Sequence, residues 1–260
     1  MSTPRALVCR ATGTNCDVET ERALERAGAR AETVAFRRLV KEPARLDEVS
    51  MLVLAGGFSH GDDVAAGRIW GHELRTRLDE PVRRFVDRGG LVLGVCNGFQ
   101  ALVDSGLFEP DVPPEERSVA LYANASNHYE CRWVEIEGQD CACPWIVPGE
   151  RMPVPVAHGE GRFVVRDEAA WQRLVEQRQI ALTYVVPAGA SDYPADPNGS
   201  MRHVAGLCDP TGRVLGLMPH PERNLDPWNH PRWTRLERRA EGEGLSFYRR
   251  MVEAAAAATV

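Results

Sequence analysis

The sequence contains no stretch of about 18 consecutive apolar residues, so no segment is long enough to cross a bilayer as a helix. Met1-Ser-Thr-Pro-Arg5 opens the chain without the apolar core of a secretory signal, and export is not expected. Basic residues are not in excess. The 31 Lys and Arg face 37 Asp and Glu, a net charge of −6, which argues against a general nucleic-acid binder. The 7 cysteines are scattered and odd in number, a usage that suits a reducing compartment better than a disulfide framework. No G-x4-G-K-[ST] loop follows a strand-like run, so nucleotide binding of that kind is not expected. No H-E-x-x-H spacing offers a zinc site, and Cys141-Ala-Cys143 has no second pair to complete one, so no metal is expected. Internal repeats and long flexible linkers are absent. What remains is a cytoplasmic globular protein, with neither membrane nor nucleic acid among its expected partners.

What is present is ordinary in amount and ordered in pattern. At 260 residues, 43% hydrophobic and 26% charged, the chain can bury one sizeable core. Ala6–Cys9, Glu32–Phe36, Met51–Ala55 and Leu91–Val95 read as strands. Between them lie helical patterns: Val18, Ala23, Leu24 and Ala27, capped by Asp17 and stopped by Gly28; then Ile69, Trp70, Leu74 and Leu78. Pro81 is expected to start a short helix carrying Val82, Phe85 and Val86, and a further helix carries Phe99, Leu102 and Val103. Apolar strands alternating with helices predict a parallel sheet covered on both faces.

The rhythm changes near residue 118. Arg132–Ile136, Arg162–Val165, Ile180–Val186 and His203–Cys208 are strand-like, with little helix between them. Val214–Met218 reads as a later buried strand. Leu245–Ala257 reads as an amphipathic helix with Leu245, Tyr248, Met251, Val252 and Ala255 on one side. Pro110–Pro114 and Pro144–Pro155 read as loops. The expectation is one α/β domain over residues 1–260, with a mostly parallel central sheet, a β-rich elaboration, and an extension over residues 224–260.

Gly94-Val-Cys96-Asn-Gly98 has the form G-x-C-x-G between a strand and a helix. This is a nucleophile-elbow pattern with cysteine in place of serine. A sharp strand-to-helix turn lifts the thiol above the sheet and places it at a helix N-terminus, where partial positive charge favours thiolate. The Asn97 amide is left to face a developing oxyanion. The plainer alternative is a small buried cysteine that only packs.

A catalytic cysteine needs a base, and the base an orienting group. His220-Pro-Glu222 directly follows the apolar run ending at Met218. Pro219 and Pro221 disfavour helix there, and in an extended segment residues i and i+2 share a side, so Glu222 can reach the imidazole. A solvated loop is the alternative. The strand-like run Met51–Ala55 ends at Gly56-Gly-Phe-Ser-His-Gly61, where backbone N–H groups can contact an oxyanion or a substrate. A plain tight turn would look the same.

Taken together, Gly94-Val-Cys-Asn-Gly-Phe-Gln100 and the distal His-Pro-Glu resemble the class I, triad-type glutamine amidotransferases, which share a flavodoxin-like fold. Gly13-Thr-Asn-Cys-Asp17, Gly56-Gly-Phe-Ser-His-Gly-Asp62, Ala157-His-Gly-Glu-Gly-Arg-Phe163, Pro197-Asn-Gly-Ser200 and Met218-Pro-His-Pro-Glu-Arg223 narrow the resemblance. They are similar to the subfamily of glutaminase subunits of phosphoribosylformylglycinamidine synthase, in de novo purine synthesis. The resemblance implies hydrolysis of glutamine to glutamate and ammonia, with ammonia passed to a larger synthetase subunit. A small third subunit assists assembly. ATP and Mg2+ belong to the synthetase, and this chain needs no cofactor of its own. By position, Cys96 is the nucleophile, His220 the base and Glu222 its orienter. Gly57 and Asn97 supply oxyanion amides, Gln100 lies beside the substrate, and Asn124–Arg132 and His158–Phe163 line the glutamine pocket or a partner face.

The chain departs from the family pattern at His60, at Leu182-Thr-Tyr184 and at Tyr129, none of them in the expected triad. Two other functions fit some of the same residues. One is another triad cysteine hydrolase, such as a γ-glutamyl peptidase, which would work without a partner. The other is a non-catalytic assembly subunit, although an intact Cys96, His220 and Glu222 argue against it.

Overall fold

A computed structural model describes residues 3–258. The first half alternates as its apolar pattern predicts: β1 (Arg5–Arg10), α1 (Asp17–Arg26), β2 (Arg30–Ala35), α2 (Phe36–Lys41), β3 (Met51–Leu54), α3 (Arg68–Arg77), α4 (Asp79–Asp87), β4 (Leu91–Val95) and α5 (Asn97–Ser105). The second half contains β5 (Val119–Ala123), β6 (Glu130–Gly138), β7 (Arg151–His158), β8 (Glu160–Val165), α6 (Glu168–Glu176), β9 (Ile180–Tyr184), β10 (Val204–Cys208), β11 (Val214–Leu217) and α7 (Glu243–Ala258).

A 9-stranded sheet runs in the order β2-β1-β3-β4-β11-β10-β9-β6-β7. The block β2-β1-β3-β4-β11 is parallel, in flavodoxin-type order. From β11 outward every pairing is antiparallel. Strands β3 and β4 are buried along their whole length, as expected for parallel strands covered on both faces. Burying each such Val or Leu stabilises the fold by about 1.5–3 kcal/mol. The β1-to-β2 connection steps toward one edge and the β3-to-β4 connection toward the other. Right-handed crossovers therefore put α1 on one face, where it meets α7, and α3 on the opposite face, packed on α5.

Several local expectations change. Asp17 is the first residue of α1 rather than its cap. Cys16 holds the cap position without a side-chain cap bond, and the Asp17 carboxylate instead lies 3.3 Å from Arg10. Val18 is 73% exposed, and the buried face is carried by Ala23 and Leu24 together with Asp17 and Thr20. Phe36 begins a helix rather than ending a strand. Pro81 lies inside the first turn of α4, which starts two residues earlier at Asp79. Helix α6 was hidden among β-like runs; Asp167 caps it, accepting from the Ala170 N–H.

The predicted loop Pro144–Pro155 in fact contains the start of β7, whose Pro153 and Pro155 look incompatible with a strand. They fit because β7 is a sheet edge, where an outward-facing proline removes an N–H that has no partner. The outward carbonyls are used. Pro155 O accepts from the His220 N–H at 2.9 Å, and Pro153 O from the Asn224 side chain at 2.7 Å. The antiparallel half therefore curls back, and its free edge meets the segment that follows β11.

Candidate active site

Three segments converge where β3, β4 and β11 end side by side. Cys96 follows β4, Gly56 and Gly57 lie just beyond β3, and His220 lies just beyond β11. The C-terminal ends of adjacent parallel strands are the usual ligand position of such sheets.

The elbow is real and strained. Cys96 sits at φ 51, ψ −108, a conformation that costs a non-glycine residue about 1–3 kcal/mol. Its N–H donates to Leu217 O at 2.8 Å and its carbonyl accepts from the Gln100 N–H at 3.0 Å, which pin both sides of the turn. Glycine at 98 is obligatory, since a Cβ there would fall 2.0 Å from Leu54 O. Cys96 is 4% exposed, and its Sγ lies 3.8 Å from Ala157 O on β7.

His220 and Glu222 form the second half. Nδ1 of His220 lies 2.6 Å from Glu222 Oε1, with both side chains buried. A Cβ on Gly56 would lie 2.9 Å from His220 Cε1 and 3.4 Å from Cys96 Cβ, so thiol and imidazole meet over this glycine. Nε2 of His220 has no hydrogen-bond partner among the described residues. Burial opposes the charged imidazolium. The Glu222 carboxylate and the neighbouring Cys96 and Cys16 sulfurs outweigh it and hold the pKa well above its ordinary value. Helix α7 braces this segment from behind: the Gly244 N–H donates to Asn224 O at 2.9 Å.

The other expected site residues lie around this pair. Gly57, at φ 149, is pressed against Thr14 and Asn15. Asn97 is the first residue of α5, so its N–H has no intrahelical acceptor. Its side chain accepts from the Ser59 N–H at 3.0 Å and donates to Asp62 and to Gln100 Oε1, each at 3.0 Å, stapling the elbow to the loop after β3. Gln100 is 5% exposed, and its amide nitrogen donates to Glu160 O at 2.6 Å. Burial pushes the Asp62 carboxyl above its usual range, against the Asn97 bond.

Of the two stretches expected near a pocket, His158 is buried inside and Tyr129 is 51% exposed. Tyr129 stacks on Phe58 with centroids 6.3 Å apart, an aromatic lip beside the thiol. Burial and the neighbouring His220 push His158 down to about 3; its Nδ1 lies 3.1 Å from Asn124 Oδ1. Cys141 and Cys143 are buried far along the chain near Cys208 and take no part in this cluster. In the sequence Cys16 stands only within the Gly13-Thr-Asn-Cys-Asp17 motif. Its position against His220 is a tertiary fact, since residues 16 and 220 meet only after the sheet is complete.

A strand-to-helix elbow with a buried cysteine, beside a carboxylate-paired histidine, on a sheet of this order, is the arrangement of the class I glutamine amidotransferases. Consistent with this, the model of the CobB/CobQ-like glutamine amidotransferase domain matches residues 3–254. The chain is 38% identical over 256 residues to phosphoribosylformylglycinamidine synthase subunit PurQ of Dehalococcoides mccartyi, covering 97% of this chain and 98% of that one. It is 39% identical over 234 residues to the PurQ subunit of Methanococcus maripaludis, covering 88% and 87%. A solved structure of PurLQS from Thermotoga maritima superposes with TM-score 0.72 at 28% identity, covering 97% of this chain and 99% of that chain. The chain belongs to the PurQ family, the glutaminase subunits of phosphoribosylformylglycinamidine synthase.

Proposed function

We propose that this chain hydrolyses glutamine at Cys96 and passes the ammonia to a larger synthetase subunit, which uses ATP to convert formylglycinamide ribonucleotide to the amidine. A small third subunit completes the complex. The observation that carries the reading is the meeting of a strained elbow thiol and a Glu222-paired imidazole over Gly56, at the ends of adjacent strands.

The chemistry follows from these groups. The Cys96 sulfur adds to the side-chain carbonyl carbon of glutamine, and the carbonyl π pair moves to oxygen. The N–H groups of Gly57 and Asn97 hold that oxyanion; losing one such donor typically costs about 2.7–4 kcal/mol of transition-state stabilisation. The imidazolium of His220 gives its proton to the departing nitrogen, the C–N bond breaks, and ammonia leaves a thioester. Neutral His220 then takes a proton from water, which attacks the thioester and releases glutamate and Cys96. Glu222 orients the imidazole and stabilises its charged form throughout. Gln100 and Asn97 keep the elbow and the loop after β3 in register around the substrate. The ATP and Mg2+ act on the synthetase, outside this chain.

The test is glutamate release from glutamine, with and without the co-expressed synthetase and small subunits, ADP and the ribonucleotide. Release that requires both the complex and Cys96 is expected. Cys96→Ala should lower glutamine-dependent turnover on the order of 10³-fold or more while sparing synthesis from added ammonia. Full release by the isolated chain would favour an independent cysteine hydrolase. No release from a well-folded complex would favour an assembly role.

A further inference from the structure

We propose that Cys16 is a positioning residue for the His220–Glu222 pair: its sulfur keeps the Arg223 guanidinium off the Glu222 carboxylate. This inference rests on the glutaminase reading and deepens it.

Cys16 ends the turn between β1 and α1 and is 1% exposed. Its N–H donates to Gly56 O at 3.1 Å, which ties it to the same glycine over which thiol and imidazole meet. Its sulfur, a ring nitrogen of His220 and a carboxylate oxygen of Glu222 all lie within 4.8 Å of one another. From the other side Arg223 Nη2 donates to the same sulfur at 3.0 Å. Arg223 Nε lies 3.6 Å from Glu19.

The carboxylate shows why a spacer is needed. Glu222 Oε1 is engaged by His220 Nδ1. Oε2 is buried without a hydrogen-bond partner among the described residues. A guanidinium beside a bare buried carboxylate oxygen should pair with it, because charge-assisted Arg–carboxylate bonds are among the strongest a protein makes. The Cys16 sulfur intercepts that donor. With the sulfur gone, Arg223 can close on Oε2, cancel the carboxylate charge and draw it from Nδ1. The imidazolium then loses its main stabiliser.

Other groups face the same imidazole. Cys96 approaches from the elbow, His158 from β7 and Tyr129 from the mouth, while Tyr248 of α7 lies near Glu222 and Cys16. None of them lies between Arg223 and Oε2 in any contact the structure shows.

The experiment is the pH profile of glutamate release by the purified complex. Cys16→Ala should lower kcat about tenfold and move the alkaline limb down by about one pH unit. Cys16→Ser, which keeps an acceptor for Arg223, should shift the limb much less. Cys16→Ala combined with Arg223→Gln should bring the limb most of the way back, because the competing cation is gone and only the sulfur's own smaller contribution is still missing. A loss of packing would not be reversed by removing Arg223. Arg223→Gln alone should leave the limb in place or raise it, and this arm stands even where Cys16→Ala does not fold. A wild-type profile for Cys16→Ala, a double variant no better than the single one, or a lowered limb in Arg223→Gln would each overturn the proposal. A complex in which Cys96→Ala releases glutamate as fast as wild type would instead overturn the glutaminase reading.

Discussion

The parallel and antiparallel halves of the sheet hold the site in different ways. The parallel half carries the Cys96 thiol through local structure. A buried strand, a tight turn and a helix supply the Cys96 geometry within a dozen residues, and Leu54 and Leu217 of the neighbouring strands complete it. The antiparallel half contributes an edge. The outward carbonyls of β7 hold His220 and Asn224, and Ala157 of the same edge reaches Cys96. The Cys96 thiol is thus built by its own element, whereas His220 is held by a strand some 60 residues earlier in the chain.

The largest test of that contrast is Glu222→Gln. It leaves β7 and the elbow in place but removes the charge that sustains the imidazolium, so kcat should fall about 10²–10⁴-fold. The alkaline limb of the pH profile should also move down. A limb that stays put would mean that the tertiary frame alone maintains His220. Next comes Gly98→Val on the parallel side. A side chain there meets Leu54 O at 2.0 Å from Cβ, and about 3 kcal/mol of stability should be lost in urea unfolding. A stable, active variant would show the elbow to be looser than its contacts.

Smaller in effect is the pH response of the β7 edge. His158 is pushed from 6.5 to about 3 in the folded chain. Its stabilising effect is therefore complete above pH 6.5 and is lost as pH falls toward 3, at up to about 1.4 kcal/mol per pH unit. His220 has the opposite sense: its contribution is complete below pH 6.5 and disappears only as pH rises through its raised pKa. Urea midpoints measured from pH 7 to 5 should therefore fall, and His158→Asn should flatten the fall. An unchanged slope would remove His158 from the account. The smallest effect is expected from Asp167→Ala, which removes the α6 cap far from the site. It should cost about 1 kcal/mol and leave glutamate release unaltered; a drop in release would mean that the outer strands are coupled to the site.

Legibility follows the same division. The five parallel-half strands are legible with boundaries within two residues; β1, β3, β4 and β11 are apolar runs because burial on both faces demands apolar residues, while β2, at the sheet edge and half exposed, shows only a mixed pattern. Strands β5 and β7 and helix α6 escaped. An edge strand with alternating prolines has the composition of a loop, and α6 is a short half-exposed helix between strands. The cap of α1 is not legible in the sequence because an Asp before an apolar pattern serves equally as cap or first-turn residue.

The sequence by itself determined the elbow, the His-x-Glu spacing and the alternation that stacks parallel strands, because each depends on residues a few positions apart and on local backbone sterics. Only the tertiary structure decided that the β7 edge grips His220, that α7 braces Asn224, and that Cys16 meets Arg223 on one side and the His220–Glu222 pair on the other. Those contacts join residues separated by tens to hundreds of positions. No local preference encodes them; they arise when the sheet curls and brings its far edge back to the strand ends.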